Sequence, residues 1–365
     1  MNFVENKGKK NKIFVAPLDW GLGHASRCIP LIKALQHQNI EVVIGSTEKI
    51  AQLLQTEFPE TTIIPLKSYG VKYTKQSRFF MLFMMLQLPK ILFSVWKENQ
   101  QIKKIVVDYQ IDAIISDNRL GCFHKKIPSV FITHQLQIIT GLKWLDFLAL
   151  KINYFFINKF NECWVPDFEG KNNIAGRLSH PNILPDVPVK YLGLLSRFTF
   201  SELTNRIPLT LLVSGPEPQR SIFETLLVQQ TEALQLPVLL IRGLPDNDQP
   251  LKTSNNNLVQ YNHINATELS VILQQSEMII ARSGYSTVMD LMALQKKAIL
   301  IPTPGQTEQE YLARKLYEEQ LFFTVSQHEF NLAEHVKAST LFQFRNEKFS
   351  TSLNEVIAEW KDSIC

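Results

Sequence analysis

Residues 278–309 constrain the fold more than any other stretch of the chain. A short apolar run at 278–281 meets the pair Ser283-Gly284. A helical pattern then starts near Ser286 and stops by Gln295-Lys296, and a second apolar run at 298–301 opens into a polar loop ending in Glu308-Gln309. Strand, glycine turn, helix, strand is a βαβ unit, which belongs to a sheet of parallel strands. The first turn of its helix has backbone N–H groups without helical partners and carries the positive end of the dipole. Ser283, Ser286 and Thr287 add hydroxyls there, so the turn suits a phosphate or diphosphate. Asp290 lies four residues beyond Ser286, one helical turn along the same face, where a carboxylate suits the two hydroxyls of a ribose. Glu308 and Gln309 suit the hydroxyls of a sugar. Phosphate, ribose and sugar together describe a nucleotide-sugar. Strand–glycine–helix alone is common to α/β proteins. The second loop strengthens the reading because both loops open at the carboxyl edge of the sheet, where such sheets bind ligands.

The same rhythm runs through the chain. Strand patterns fall at 12–17, 41–44, 62–65, 111–116 and 129–133, with helices near 25–36 and 50–56. A second series has strands at 209–213, 237–241, 258–261, 278–281 and 298–301, with a helix over 221–235. The expected fold is α/β, with two doubly wound parallel sheets. A chain of 365 residues accommodates two domains of roughly 150 to 200 residues. The expected division is 1–195, 205–350 and a terminal helical segment 351–365, with the linker inside 187–207. Charged residues make up 20% and hydrophobic residues 45%, a globular composition rather than a disordered one. The net charge of +4 is mild. It suits an anionic small ligand, and no nucleic-acid partner is expected. Cys28, Cys122, Cys163 and Cys365 are scattered, which predicts neither a disulfide framework nor a zinc site and fits a reducing compartment. Lys7, Lys9, Lys10 and Lys12 precede the first apolar run, so no signal peptide is expected and the predicted location is cytoplasmic.

A second loop, Trp20-Gly-Leu-Gly-His-Ala-Ser-Arg27, follows the first strand. Gly21 and Gly23 permit a tight turn and close approach of backbone to ligand. A dinucleotide site is disfavoured, because Ser26 replaces the third glycine and the second strand ends Ile44-Gly45-Ser46 without an acidic residue. His24 begins a helix facing the cleft. Imidazole has a pKa suited to removing a proton from an attacking hydroxyl. Asp117, ending its strand, is the candidate carboxylate to fix the His24 tautomer. The plainer alternative makes both residues caps of local structure. His134, after the strand at 129–133, is a candidate acceptor-side group or a satisfied loop histidine. No Asp-x-Asp, His-x-x-x-His or paired-cysteine spacing is present, so neither metal nor cofactor is expected.

These motifs resemble those of GT-B glycosyltransferases. The similarity is greatest to the family-28-like group, which includes the lipid-II-forming GlcNAc transferase and the diacylglycerol glucosyltransferases; the UDP-glycosyltransferases are more distant. The resemblance implies two Rossmann-like domains facing across a cleft, with a C-terminal helix, expected near 352–360, returning to the first. It implies that Arg282-Ser283-Gly284 meets the phosphates, with Ser214-Gly215 opposite, that Asp290 binds the ribose, and that Glu308-Gln309 holds the donor sugar. Arg220 is a further candidate charge, and the loop His263-Ile264-Asn265 is expected near the base. The loop at 21–27 is similar to the family's Gly-x-Gly-His loop, and Asp117 to the aspartate of the His–Asp pair in UDP-glycosyltransferases. Two positions depart from the pattern. Asp290 stands where the family often has Glu, and Tyr311-Leu312-Ala313 stands where an Asn is usual.

The implied activity is inverting, metal-independent hexosyl transfer from a UDP-sugar, with a dTDP-sugar as alternative, to a hydroxyl acceptor. Two other functions stay open: a GT-B epimerase, and a non-catalytic subunit of a membrane transferase. The acceptor bears on Lys72, Lys75, Arg78 and the apolar residues 79–86 and 91–93, and on the aromatic segment 144–160 with its lysines. These runs are too short to span a bilayer. They are either two buried helices or an interfacial surface, at 72–96 and 143–160, for a lipid-linked or glycolipid acceptor at the inner face of a membrane.

Overall fold

The computed structural model describes residues 10–71, 80–204, 206–244 and 255–364. The first half runs β1 (Lys12–Pro17), α1 (Leu22–His37), β2 (Glu41–Ser46), α2 (Glu48–Glu57), β3 (Thr62–Pro65), α3 (Phe80–Asp108), β4 (Ala113–Asp117), β5 (Ser129–Ile132), α4 (Lys143–Ile157), β6 (Glu162–Val165) and β7 (Val189–Tyr191). The second runs β8 (Ile207–Leu212), α5 (Gln219–Thr231), β9 (Val238–Ile241), β10 (Leu258–Tyr261), α6 (Ala266–Gln275), β11 (Ser276–Ala281), α7 (Tyr285–Ala293), β12 (Ala298–Leu300), α8 (Thr307–Glu318), β13 (Phe323–Thr324), α9 (Leu332–Leu341) and α10 (Leu353–Ile364).

The strands form two separate sheets, ordered β3-β2-β1-β4-β5-β6-β7 and β10-β9-β8-β11-β12-β13. Every strand pair in both is parallel. Helices cover both faces of such sheets, so the central strands are unbroken apolar runs rather than alternating ones. Ile13 to Ala16 and Ala113 to Ile115 have no exposed surface at all. Each sheet reverses its order once, between β1 and β4 and between β8 and β11. The carboxyl ends of strands at such a reversal splay their loops apart and leave a crevice. At these carboxyl edges stand His24, in the helix that follows β1, Asp117, at the end of β4, and the pairs Ser214-Gly215 and Ser283-Gly284 after β8 and β11.

The last helix, α10, packs on the first half, as the GT-B resemblance implied. Leu353, Val356, Ile357 and Trp360 join the core formed by α1 and the strands beneath it. The Trp360 ring meets Trp164 of β6 edge-on at 5.3 Å, and Lys361 Nζ donates to the Gln38 carbonyl at 2.9 Å. Removing the Trp360 indole would leave a hole costing about 3–5 kcal/mol.

Two elements differ from expectation. Residues 189–191, inside the expected linker, form the edge strand β7, because Val189 and Tyr191 pack on the cluster around Phe160 and Cys163. The crossing that follows is also held: Gly193 bridges Thr351 of the returning segment, and a Cβ there would meet the Ser350 carbonyl at 2.7 Å with φ at +68°. Only glycine fits that position. The apolar run broken at Gln87 and Pro89 belongs to one continuous helix, α3, with Pro89 inside it. One missing N–H is tolerated in a helix of 29 residues. Neither α3 nor α4 is wholly buried. Leu92, Phe93 and Trp96 of α3 and Trp144, Phe147, Leu148 and Phe155 of α4 are exposed. Lys72, Lys75 and Arg78, expected beside this surface, lie outside the described residues, as do Lys7, Lys9 and Cys365. Among the described residues no helix is long and apolar enough to cross a membrane.

Candidate active site

β1, β4 and β5 are neighbours, and their carboxyl ends deliver three residues to one place. Gly21, at φ +107°, turns the chain out of β1 and starts α1 earlier than the apolar pattern indicates. His24 therefore falls in the first turn of α1, and Arg27 follows it by three residues on the same helix face. Asp117 ends β4 with no exposed surface, and His134 follows β5.

His24 Nδ1 lies 3.0 Å from Asp117 Oδ2 and 2.9 Å from Arg27 Nη2. Arg27 Nε donates to Asp117 Oδ2 at 2.9 Å, and its Nη2 donates to the other carboxylate oxygen. Arg27 Nη1 reaches His134 Nδ1 at 3.2 Å. A guanidinium only donates, so His134 Nδ1 accepts and the His134 proton sits on Nε2. That Nε2–H donates to Glu308 Oε1 at 2.7 Å. The His134 ring also stacks on Tyr285 at 4.1 Å. The result is one buried array, His24–Asp117–Arg27–His134–Glu308, that begins in the first half and ends in the second.

Burial pushes the His24 pKa down, the Arg27 charge adds to this, and Asp117 opposes both. Burial alone would raise Asp117, but Arg27 and His24 overcome it and hold the carboxyl at about 2. Burial would likewise raise Glu308, yet His134, His24 and Arg27 bring it below the usual carboxylate range. Near neutral pH the array is two carboxylates, one guanidinium and an uncharged His24.

Across the cleft, Gly284 caps α7 with an ordinary φ of −69°, and a Cβ there would meet nothing within 4 Å. Local geometry therefore does not demand glycine at 284. Ser286 Oγ donates to the Gly23 carbonyl at 3.1 Å, which brings the two glycine loops into contact. Thr287 lies beside it on the first turn, half-buried. Gly215, after β8, has φ +113° and equally open space around it, with Ser214 half-buried next to it. The loop at 263–265 leads into α6, with Asn265 Oδ1 accepting from the Glu268 N–H at 2.9 Å.

Several side chains expected at the donor mouth point elsewhere. Ser283 has no exposed surface and donates to the Gln309 carbonyl at 3.0 Å. The Gln309 amide folds back on its own loop, accepting from the Thr303 N–H at 2.9 Å and donating to Gln306 at 2.6 Å. Arg282 is buried over the Phe223 ring at 3.9 Å and donates to the Ile301 and Pro302 carbonyls and to Gln327. Burial without a facing carboxylate brings its pKa down to about 9. Arg220 is taken up by Glu217 and Glu224. Asp290 accepts from Ser196 Oγ at 2.6 Å and lies 3.8 Å from Arg197 Nε, so it is held by the crossing segment rather than open at the mouth. Among the described residues no three His, Cys, Asp or Glu side chains are grouped to hold a metal.

Arg27 is the functional candidate that sequence reasoning passed over. Its signal was present: a cation three residues after a candidate base on one helix face. Ser196 and Tyr285 carried no such signal.

Residues 217–362 match the glycosyltransferase family 28 C-terminal domain. A UDP-N-acetylglucosamine–N-acetylmuramyl-(pentapeptide) pyrophosphoryl-undecaprenol N-acetylglucosamine transferase from Lachnoclostridium phytofermentans is 25% identical over 347 residues, 89% of each chain. The enzyme of the same name from Buchnera aphidicola subsp. Schizaphis graminum is 26% identical over 61% of this chain and 63% of its own. Among solved structures, the spinosyn rhamnosyltransferase SpnG overlays with a TM-score of 0.63 at 14% identity, over 90% of this chain and 91% of that one. The glycosyltransferase of kitacinnamycin overlays at 0.61 and 13%, over 98% and 94%. Domain match, curated relatives and two-sheet architecture agree: the chain is a glycosyltransferase of GT-B fold whose residues 217–362 match the family 28 C-terminal domain.

Proposed function

We propose that the protein moves a sugar from a nucleoside-diphosphate sugar, with uracil as the base, to a hydroxyl of a lipid-linked acceptor, with inversion and without a metal. The observation that carries this reading is the contact of the two glycine loops. It sets His24, backed by Asp117, against the N-terminus of α7, so a proton acceptor and an anion site share one crevice. The Nδ1–H of His24 donates to Asp117, and Arg27 Nη2 beside it gives its hydrogen to the carboxylate rather than to the ring, which leaves Nε2 for the acceptor hydroxyl. As Nε2 takes that proton, the acceptor oxygen attacks the anomeric carbon. The bond from that carbon to the diphosphate oxygen breaks on the opposite face, and the diphosphate leaves with the electron pair. The N–H groups of the first turn of α7, with Ser286, Thr287 and Ser214-Gly215, receive it. The open space beside Gly284 and Gly215 suits close approach of phosphate oxygens. Glu308 meets the sugar. Asp290 meets the ribose once Ser196 gives way, since the ribose hydroxyl replaces one hydroxyl with another. Arg282, Ser283 and Gln309 shape these loops from within.

The curated relatives are named for UDP-N-acetylglucosamine and an undecaprenol-linked acceptor, which favours that pair as first substrates. The exposed face of α3 and α4 fits a lipid surface at the cytoplasmic side. Lys97, Lys151 and Lys159 lie over Phe93, Phe147 and Phe155 at 4.5, 4.5 and 4.2 Å. A groove of about 300 Å³ between the helices is lined by Leu88, Leu92, Ile152, Phe155 and Phe156. Rings with cations above them match the boundary between lipid chains and headgroups. The test is product analysis by mass spectrometry, using a panel of UDP- and dTDP-sugars with a polyprenyl-pyrophosphate-linked acceptor, in EDTA. Glycosylated acceptor and released UDP are expected, with His24→Ala slower by about 10² to 10⁴. Absence of transfer from every donor, or full activity in His24→Ala, would overturn the reading.

A further inference from the structure

We propose that Arg27 is a positioning residue of the reaction: its one guanidinium fixes Asp117, His24 and His134 in a single array and, through His134, ties the base to Glu308 across the cleft. The inference rests on the reading of His24 as the base.

Arg27 is 4% exposed, and a cation taken this far from water requires partners. Neutralising Asp117 would take only one arm of the guanidinium, and a lysine would serve. Arg27 uses three nitrogens on three side chains: Nε and Nη2 on Asp117, Nη2 also against His24, and Nη1 on His134. A planar fork with fixed angles between its donors can hold such an arrangement; an ammonium on a flexible stem cannot. The bond to His134 Nδ1 matters most, because it forces the His134 proton to Nε2, where Glu308 accepts it. Glu308 comes from the first turn of α8, in the other half. The geometry of the base is thus linked to the closure of the cleft.

The charges around Arg27 are consistent with this. Its own helix presents His24 and Cys28, β4 presents Asp117, the segment after β5 presents His134, α8 presents Glu308 and α7 presents Tyr285. Two carboxylates against one guanidinium leave the array with one excess negative charge. The imidazolium formed when His24 takes the acceptor proton neutralises it. Arg27 meanwhile disfavours a proton on His24 before the acceptor arrives.

Histidine-selective nitrogen NMR on the full chain tests this, with His24→Ala and His134→Ala assigning the two rings. In the wild type His24 should titrate below about 6.5, and His134 should show the Nε2–H tautomer. In Arg27→Met, His24 should titrate higher by about one unit or more, and His134 should lose its single tautomer. In Arg27→Lys, which keeps the buried charge and so guards against a failure to fold, the His24 titration should return toward wild type while His134 still loses its single tautomer. Unchanged His24 titration in a folded Arg27→Met, or an unchanged His134 tautomer in Arg27→Lys, would overturn the proposal. UDP release from UDP-N-acetylglucosamine with the polyprenyl-linked acceptor should fall about 100-fold in kcat for Arg27→Lys, with KM for the donor nearly unchanged. Failure of the base reading looks different: His24→Ala would then transfer at the wild-type rate whatever the rings report.

Discussion

His134 and Glu308 meet across the cleft at 2.7 Å, although 174 residues separate them in the chain. The carboxylate that the family pattern assigns to the donor sugar is held by an N–H from the opposite half. A sugar hydroxyl entering there exchanges one hydrogen bond for another, so the donor competes with a contact within the protein. Glu308 keeps 31% of its side chain exposed, so the pair adds little to stability. Glu308→Gln should therefore unfold within a few degrees of wild type, yet raise KM for the nucleotide-sugar about 10-fold, the loss of one hydrogen bond to a charged group. Calorimetry and initial rates check the two halves of this statement. A large loss of stability with KM unchanged would make Glu308 a structural residue.

The pH dependence follows from His24 and Asp117. His24 is pushed below its usual value by burial and by Arg27, so it remains an available base somewhat below pH 6.5. The acid limb of kcat/KM should therefore fall below that of an ordinary histidine. For stability, a histidine with a lowered folded pKa binds protons more readily when unfolded. Its contribution is complete above about pH 6.5 and is lost as pH falls through that value toward the folded pKa. Asp117, held at about 2 against an ordinary 3.8, contributes stability above its ordinary value and loses it as pH falls from there toward 2. Denaturation followed from pH 8 to 2 should show two losses, and only the upper one should vanish in His24→Ala.

Gly23 touches the second half of the chain directly. A Cβ added there would stand 2.9 Å from Ser286 Oγ and 3.3 Å from its Cβ, closer than atoms of neighbouring side chains settle. Gly23→Ala should push the two loops apart and cut kcat/KM about 100-fold, as a misplacement of about 1 Å does. Ser286→Gly in the same chain removes both clashing atoms and should restore part of the loss, although glycine in a helix costs about 0.5–1 kcal/mol. A double variant as slow as Gly23→Ala would show that the contact does not set the alignment.

The parts of this molecule legible in its sequence are those governed by local pattern. Apolar runs of strand length alternating with helical periods gave both parallel sheets, and the glycines after β1 and β11 marked the loops at the two order reversals. Strand β7 was not legible, because three half-buried residues become a strand only when β6 and the Phe160 cluster lie beside them. Neither was the direction of polar side chains. Ser283 turns inward to the Gln309 carbonyl and Asp290 turns to Ser196, both through contacts set by distant segments. Arg27 was visible as a residue and invisible as a hub, since its partners at 117 and 134 meet it only when β1, β4 and β5 are side by side.

The exposed face of α3 and α4 yields the last expectation. Leu92, Phe93 and Trp96 stand out from one helix, and Trp144, Phe147 and Phe155 from the other, with Lys97 over a ring of the first group and Lys151 and Lys159 over rings of the second. Burying one such aromatic in a lipid boundary gains about 1.5–3 kcal/mol, and each lysine near an anionic surface adds about 1 kcal/mol. Phe93→Ser with Trp96→Ser removes two anchors without touching the cleft. Its affinity for vesicles containing anionic lipid, followed by sedimentation, should drop at least about 100-fold. Transfer to a short-chain acceptor in detergent-free buffer should stay near wild type, because the array around Arg27 is left intact. Lysine variants at 97, 151 and 159 should weaken vesicle binding only where the lipid is anionic, and raised salt should reproduce their effect on the wild type. Unchanged sedimentation of the double variant would assign this surface to something other than lipid.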